Sequence, residues 1–99
     1  MKKSNVYLLT NKYNTVIYVG VTTDLVRRIY EHKTGVFRGF SYRYNCTKLV
    51  YYEEYSNMDM AIEREKQIKA GNRRRKEYLI RSTNPEWVDL AKEWLFPYV

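Results

Sequence analysis

Two short runs of strand-forming residues, Val6-Tyr7-Leu8-Leu9 and Val16-Ile17-Tyr18-Val19, flank the polar stretch Asn11-Lys12-Tyr13-Asn14. β-Branched and aromatic side chains on both arms, with Asn at both ends of the connection, form the pattern of a β-hairpin. A hairpin constrains a chain strongly, because its register decides which side chains share a face. With the turn centred on Lys12 and Tyr13, Tyr7 and Tyr18 fall directly opposite each other and project from the same side. Gly20 is expected to end the second arm and to leave room for a close approach to the backbone.

The segment that follows reads as a helix. Thr23 or Asp24 can cap it, it runs to about Lys33, and Gly35 stops it. Its apolar residues Leu25 and Ile29 share a face with Arg28 and His32. Thr34 to Asn45 is Gly-containing, aromatic and basic and is expected to be a loop, and "KLVYYEEY" is expected to be a third strand. In "NMDMAIEREKQIKAG", capped by Asn57 and ended at Gly71, Met58, Ala61, Ile62 and Ile68 make an apolar stripe with Glu65 in its middle. "NRRRKEYLIR" reads as a short basic helix. "NPEWVDLAKEWLF" predicts a last helix at about residues 84–96, with Asn84 as cap, Pro85 at the first helical position, and Trp87, Leu90, Ala91, Trp94 and Leu95 on its apolar face. The order β-β-α-β-α-α-α is that of an α+β fold.

The 99 residues suffice for one small domain, spanning 1–99 with a core at about 5–80. The formal net charge of +7 favours an anionic partner, nucleic acid foremost. A single cysteine, Cys46, allows neither an internal disulfide nor a cysteine metal cluster, and is read as a reduced, packed thiol in the cytoplasm. The basic start is followed by no long apolar run, so a secretory signal is not expected. No apolar stretch approaches the roughly 20 residues that cross a bilayer.

Ionisable groups stand where the pattern asks for apolar ones: Arg28 and His32 on the first helix, Glu65 on the second, Tyr7 and Tyr18 on one sheet face. A buried charge is costly unless it is paired or bound to a metal. A carboxylate, an Arg, a His and phenols beside a basic surface suit work on phosphate. The carboxylate can hold Mg²⁺ or Mn²⁺, the Arg can stabilise a pentacoordinate transition state, and a Tyr or the His can position a water or take its proton. Each residue also has a plainer role. Glu65 can pair with Lys69 one turn on, Arg28 can extend past the core to solvent, His32 can be an ordinary satisfied residue, and tyrosines are common in a chain holding 11 of them.

These residues, in this order, resemble the GIY-YIG nuclease family. "NVY" at Asn5-Val6-Tyr7 is similar to the first signature element and "YVG" at Tyr18-Val19-Gly20 to the second, although Asn5 stands where the family name has Gly, and Val6 and Val19 where it has Ile. "DLVRRIYEH" and "AIEREKQIK" follow in the family's order, over roughly Val6 to Leu79. Within that family the chain most resembles the small, stand-alone bacterial members of the UPF0213 group. The resemblance implies a three-stranded antiparallel sheet flanked by helices and metal-dependent hydrolysis of DNA phosphodiesters. It assigns Tyr7 and Tyr18 to the site lining, one of them orienting or deprotonating the attacking water. Arg28 would contact the scissile phosphate, His32 would assist the nucleophile, and Glu65 would ligate a single Mg²⁺ or Mn²⁺. Lys69, Arg73, Arg74, Arg75 and Lys76 are expected to bind DNA phosphates without reading bases, unless the run is a solvated helix face or meets an acidic protein. The DNA is expected to be branched, nicked or otherwise irregular. Two other functions fit the same residues: a non-catalytic nucleic-acid-binding module of this fold, and a nuclease subunit whose protein partner supplies specificity.

Overall fold

The structure is a computed structural model that describes residues 3–36 and 38–97. Strands β1 (Ser4–Thr10), β2 (Ile17–Thr22) and β3 (Lys48–Tyr55) form an antiparallel sheet in the order β2-β1-β3. The helices are α1 (Leu25–Thr34), α2 (Phe40–Arg43), α3 (Met58–Ala70) and α4 (Arg73–Thr83). Every residue of the central strand β1 is buried, because both faces of the sheet are covered. On one face Val6, Leu8, Val19 and Val50 pack with Ala61 and Ile68 of α3 and Ile80 of α4. On the other, Tyr7, Leu9 and Leu49 pack with Ile29 of α1 and Ala91 of the C-terminal segment.

Local chemistry sets the helix ends as expected. Asp24 caps α1 by accepting from the Arg27 amide at 3.2 Å, and Asn57 caps α3 by accepting from Met60 at 2.9 Å. Gly35 ends α1 in the left-handed conformation, φ 76°, which favours glycine. The Cys46 thiol is free and buried. Among the described residues no helix is long and apolar enough to cross a membrane.

The hairpin register differs from expectation. Tyr7 pairs with Gly20 and Tyr18 with Leu9, so the two tyrosines are diagonal neighbours rather than direct partners. Asn11 causes the shift. Its side-chain oxygen accepts from the amides of Thr15 (2.9 Å) and Val16 (3.1 Å), drawing both into the loop, which Asn14 closes at φ 58°. A displacement of two residues preserves the face, so both rings still project to one side. Gly20 therefore lies inside β2 and does not end it.

Two segments depart from the sequence reading. The expected loop at Thr34–Asn45 contains the four-residue helix α2. The expected helix at 84–96 is absent, and Pro85 starts no helix there. The backbone of this segment bonds elsewhere. Asn84 donates to the carbonyls of Val50 (3.1 Å) and Val88 (2.8 Å), and the Leu90 amide donates to Leu49 at 2.7 Å. Asp89 accepts from the amides of Leu49 (3.1 Å) and Ala91 (3.0 Å) and pairs with Lys33. Trp87 turns to φ 55° and enters the α3/α4 core, whereas Ala91 enters the α1 core, a division that one helical face cannot serve. Leu95, expected on the apolar face, is 94% exposed.

Candidate active site

The centre of the sheet supplies the first component. Tyr7, 1% exposed, extends its phenol across β2 at Gly20. A Cβ on Gly20 would lie 2.4 Å from Tyr7 Cζ and 2.5 Å from its hydroxyl oxygen, so glycine is required there for space. The Tyr7 hydroxyl meets His32 Nε2 at 2.8 Å, and His32 Nδ1 meets Ser41 Oγ at 2.8 Å. Tyr18 closes the group, with its ring centroid 6.2 Å from that of Tyr7 and 5.4 Å from that of His32. A neutral imidazole donates through one nitrogen and accepts through the other. The hydrogens therefore run in one direction along Tyr7–His32–Ser41, whichever way that is.

Arg28 lies one turn before His32 on α1, half-buried, with Glu31 at 3.5 Å. Glu65 projects from α3 with its side chain 16% exposed and Lys69 at 3.4 Å, the ion pair anticipated as its plainer role. The electrostatics tie these elements together. Burial pushes the Tyr7 phenol far above the ordinary tyrosine range; Tyr18 and the negative charge of Glu65 add to the rise, and Arg28 opposes it. Burial, reinforced by the positive charge of Arg28, holds His32 down at about 4. Tyr7, Tyr18, Arg28, His32 and Glu65 therefore form one interacting group. At neutral pH His32 is an unprotonated base and Tyr7 an un-ionised phenol.

The depressed His32 value has a consequence for stability. Unfolded, a histidine titrates near 6.5. Between pH 6.5 and 4 the unfolded chain binds the proton and the folded chain does not, so stability is full above about 6.5 and falls as the solution is acidified towards 4. The loss attributable to His32 is about 3 kcal/mol. Urea midpoints measured from pH 7.5 to 4 should fall more steeply for the wild type than for His32→Gln. Parallel curves would mean that His32 ionises as freely in the fold as outside it.

Among the described residues no three His, Cys, Asp or Glu side chains converge as a metal-binding group. Glu65 offers the group a hard carboxylate, and the Glu31 carboxylate is paired with Arg28 and Arg27. That donor set does not suit an all-protein metal cage. It fits Mg²⁺ or Mn²⁺, which retain most of their waters and take one or two carboxylates together with substrate phosphate oxygens.

The structure divides the basic run. Lys69 is engaged with Glu65. Arg73 bonds Glu77 at 2.8 Å and the carbonyls of Asn14 (2.5 Å) and Thr15 (2.9 Å), holding the hairpin loop against α4. Lys76 donates to the Gly71 carbonyl at 2.6 Å. Arg74 and Arg75, together with Lys76, line a groove of about 640 Å³ between α3 and α4.

Ser41 and Phe40 escaped the sequence reading, because a four-residue helix leaves no periodic signature. Glu53 was also unread. It accepts from Tyr51, from Tyr55 (2.7 Å) and from Arg64 (2.9 and 3.1 Å). Burial alone would raise its pKa, but these bonds prevail and lower it. The spacing of Tyr51, Glu53 and Tyr55 along a strand was the available signal. The network sits opposite Val6, on the sheet face away from Tyr7, and its groups satisfy one another.

Residues 3–82 match the GIY-YIG catalytic domain. The chain belongs to the GIY-YIG family. It is 33% identical over 75 residues to a UPF0213 protein of Natronomonas pharaonis, covering 76% of this chain and 87% of that one. It is 34% identical over 76 residues to a UPF0213 protein of Staphylococcus haemolyticus, covering 77% and 92%. The solution NMR structure of a UPF0213 protein from Bacillus halodurans superposes with a TM-score of 0.57 at 28% identity, covering 93% of this chain and 97% of that one. This is a small GIY-YIG protein of the UPF0213 group. The family is one of nucleases, and its substrate class is nucleic acid.

Proposed function

We propose that this GIY-YIG chain is a divalent-metal-dependent endonuclease that hydrolyses phosphodiester bonds in DNA. The observation that carries the reading is the buried 2.8 Å pairing of Tyr7 with an unprotonated His32, flanked by Arg28 and Glu65. A phenol with so high a pKa is no base by itself. It can take a proton from an attacking water while its own proton passes to His32 Nε2. The water oxygen bonds to phosphorus, the ester oxygen departs and is protonated by solvent, and His32 holds the proton as imidazolium until release. Ser41 on Nδ1 keeps the ring in the orientation this transfer needs. Arg28 neutralises charge gathering on the non-bridging phosphate oxygens. Glu65 would hold the ion, which stabilises developing charge on the phosphate and leaving oxygen when bound. Arg74 and Arg75 add phosphate contacts that carry no sequence information.

Arg28→Ala should lower turnover by about 10²- to 10³-fold, with DNA affinity within about threefold of wild type, as for a contact made mainly in the transition state. Equal losses in binding and turnover would reduce Arg28 to a general phosphate contact. The test of the whole reading is a panel of branched, nicked, single-stranded and duplex DNA incubated with Mg²⁺ or Mn²⁺. Metal-dependent cuts that Glu65→Gln does not make support it.

One observation favours a second reading, a binding module without turnover: Lys69 already occupies the Glu65 carboxylate. On that reading every panel member binds and none is cut.

A further inference from the structure

The outer end of the site is built from rings. Phe40 stacks on Tyr18 with centroids 6.3 Å apart and planes inclined by 23°, and Tyr44 packs on Phe40 at 4.7 Å. Together with Tyr7 they form a ladder from the buried hydroxyl to the surface. Its outer members are uncovered: Phe40 is 52% and Tyr44 41% exposed, and neighbouring Tyr42 is 43% exposed. Cations alternate with them. The Arg38 guanidinium lies 4.5 Å from the Tyr42 ring centre and that of Arg43 5.8 Å from Tyr44.

A four-residue helix gains nothing in its own core from three such rings in solvent, and the innermost of them, Phe40, stacks directly on Tyr18 of the site. Aromatic faces interleaved with arginine bind nucleic acid by stacking bases and neutralising the adjacent phosphates. A duplex offers protein only base edges and backbone, since its base faces are already stacked. We propose that α2 is a stacking platform for the unpaired bases of a DNA strand next to the scissile phosphate, so that the substrate class of this site is single-stranded DNA. The proposal takes its site from the nuclease reading, but its measurement needs no cleavage.

The experiment is equilibrium binding of the full chain in EDTA at fixed salt, by anisotropy. The probes are a thymidine oligonucleotide carrying one 2-aminopurine and the duplex of equal length. The single strand should bind at least about tenfold more tightly than the duplex and lose 2-aminopurine fluorescence on binding, as a base stacked on a ring does. Tyr44→Ser and Phe40→Ala should each weaken single-strand binding by about 5- to 150-fold and leave duplex binding within about twofold, with Phe40→Trp restoring it. If Phe40→Ala compromises folding, Tyr44→Ser carries the test, since Tyr44 bonds to neither His32 nor Ser41. Equal affinity for both probes, unquenched 2-aminopurine, or single-strand binding unchanged in Tyr44→Ser overturns the platform. Absence of cutting in Mg²⁺ and Mn²⁺ would sink the nuclease reading and leave this binding result standing.

Discussion

Glu65→Gln should give a folded protein that cuts nothing. Gln keeps the shape of Glu but presents a neutral amide, which a hard divalent cation holds far less well than a carboxylate. Among the described residues no three His, Cys, Asp or Glu side chains gather into a metal-binding group, so few other protein ligands stand by to replace it. A metal at a scissile phosphate is worth several kcal/mol of transition-state stabilisation, so the rate should drop by at least about a hundredfold. The structural cost is small, because the lost ion pair has a lysine whose side chain is 55% exposed, and such pairs contribute about 0–1 kcal/mol. The thermal midpoint should therefore stay near that of the wild type. A companion substitution sharpens the result. Lys69 competes for the carboxylate, so Lys69→Ala should retain cleavage and reach half-maximal rate at lower Mg²⁺. Full activity in a folded Glu65→Gln protein would remove the carboxylate from the chemistry.

The parts of this site that local pattern could reveal were legible in the chain. Tyr7 and Tyr18 were placed on one face even though the register was off by two, because strand parity survives an even shift. Arg28, His32 and Glu65 were visible as ionisable residues within apolar helical stripes, a local conflict of the kind expected at functional sites. What depended on distant partners was not legible. Arg73 looked like one more surface cation, yet its bonds reach the hairpin carbonyls 58 and 59 positions away. The stretch 84–96 carries a helical apolar pattern. It is kept from winding into a helix by Asn84, Asp89 and the Leu90 amide, which bond to β3 instead, and no local propensity reports such competition. Ser41 acquires meaning only once α2 folds against His32.

Gly20 shows how closely the packing and the chemistry are joined, and Gly20→Ala should damage both. Gly20 is not in the left-handed region, and in a strand alanine is ordinarily preferred to glycine by about 0.5–1 kcal/mol. On backbone grounds alone the substitution would stabilise. The new methyl, however, would meet Tyr7 Cζ at 2.4 Å and its oxygen at 2.5 Å. Tyr7 is too buried to swing aside freely, so β1 and β2 separate or the ring leaves His32. Overpacking costs about 1–3 kcal/mol, and leaving a buried polar partner unsatisfied costs about 1–3 more. The net loss of roughly 2–5 kcal/mol should lower the thermal midpoint by about 10–30 °C in a domain of this size. Cleavage by the surviving folded fraction should fall as well, since the proton of Tyr7 no longer has His32 within reach. The double variant Tyr7→Leu/Gly20→Ala separates the two effects. Trimming the ring makes room for the methyl, so the midpoint should recover much of its loss while cleavage stays absent. Restored cleavage in that double variant would show that the Tyr7 hydroxyl plays no part in the reaction.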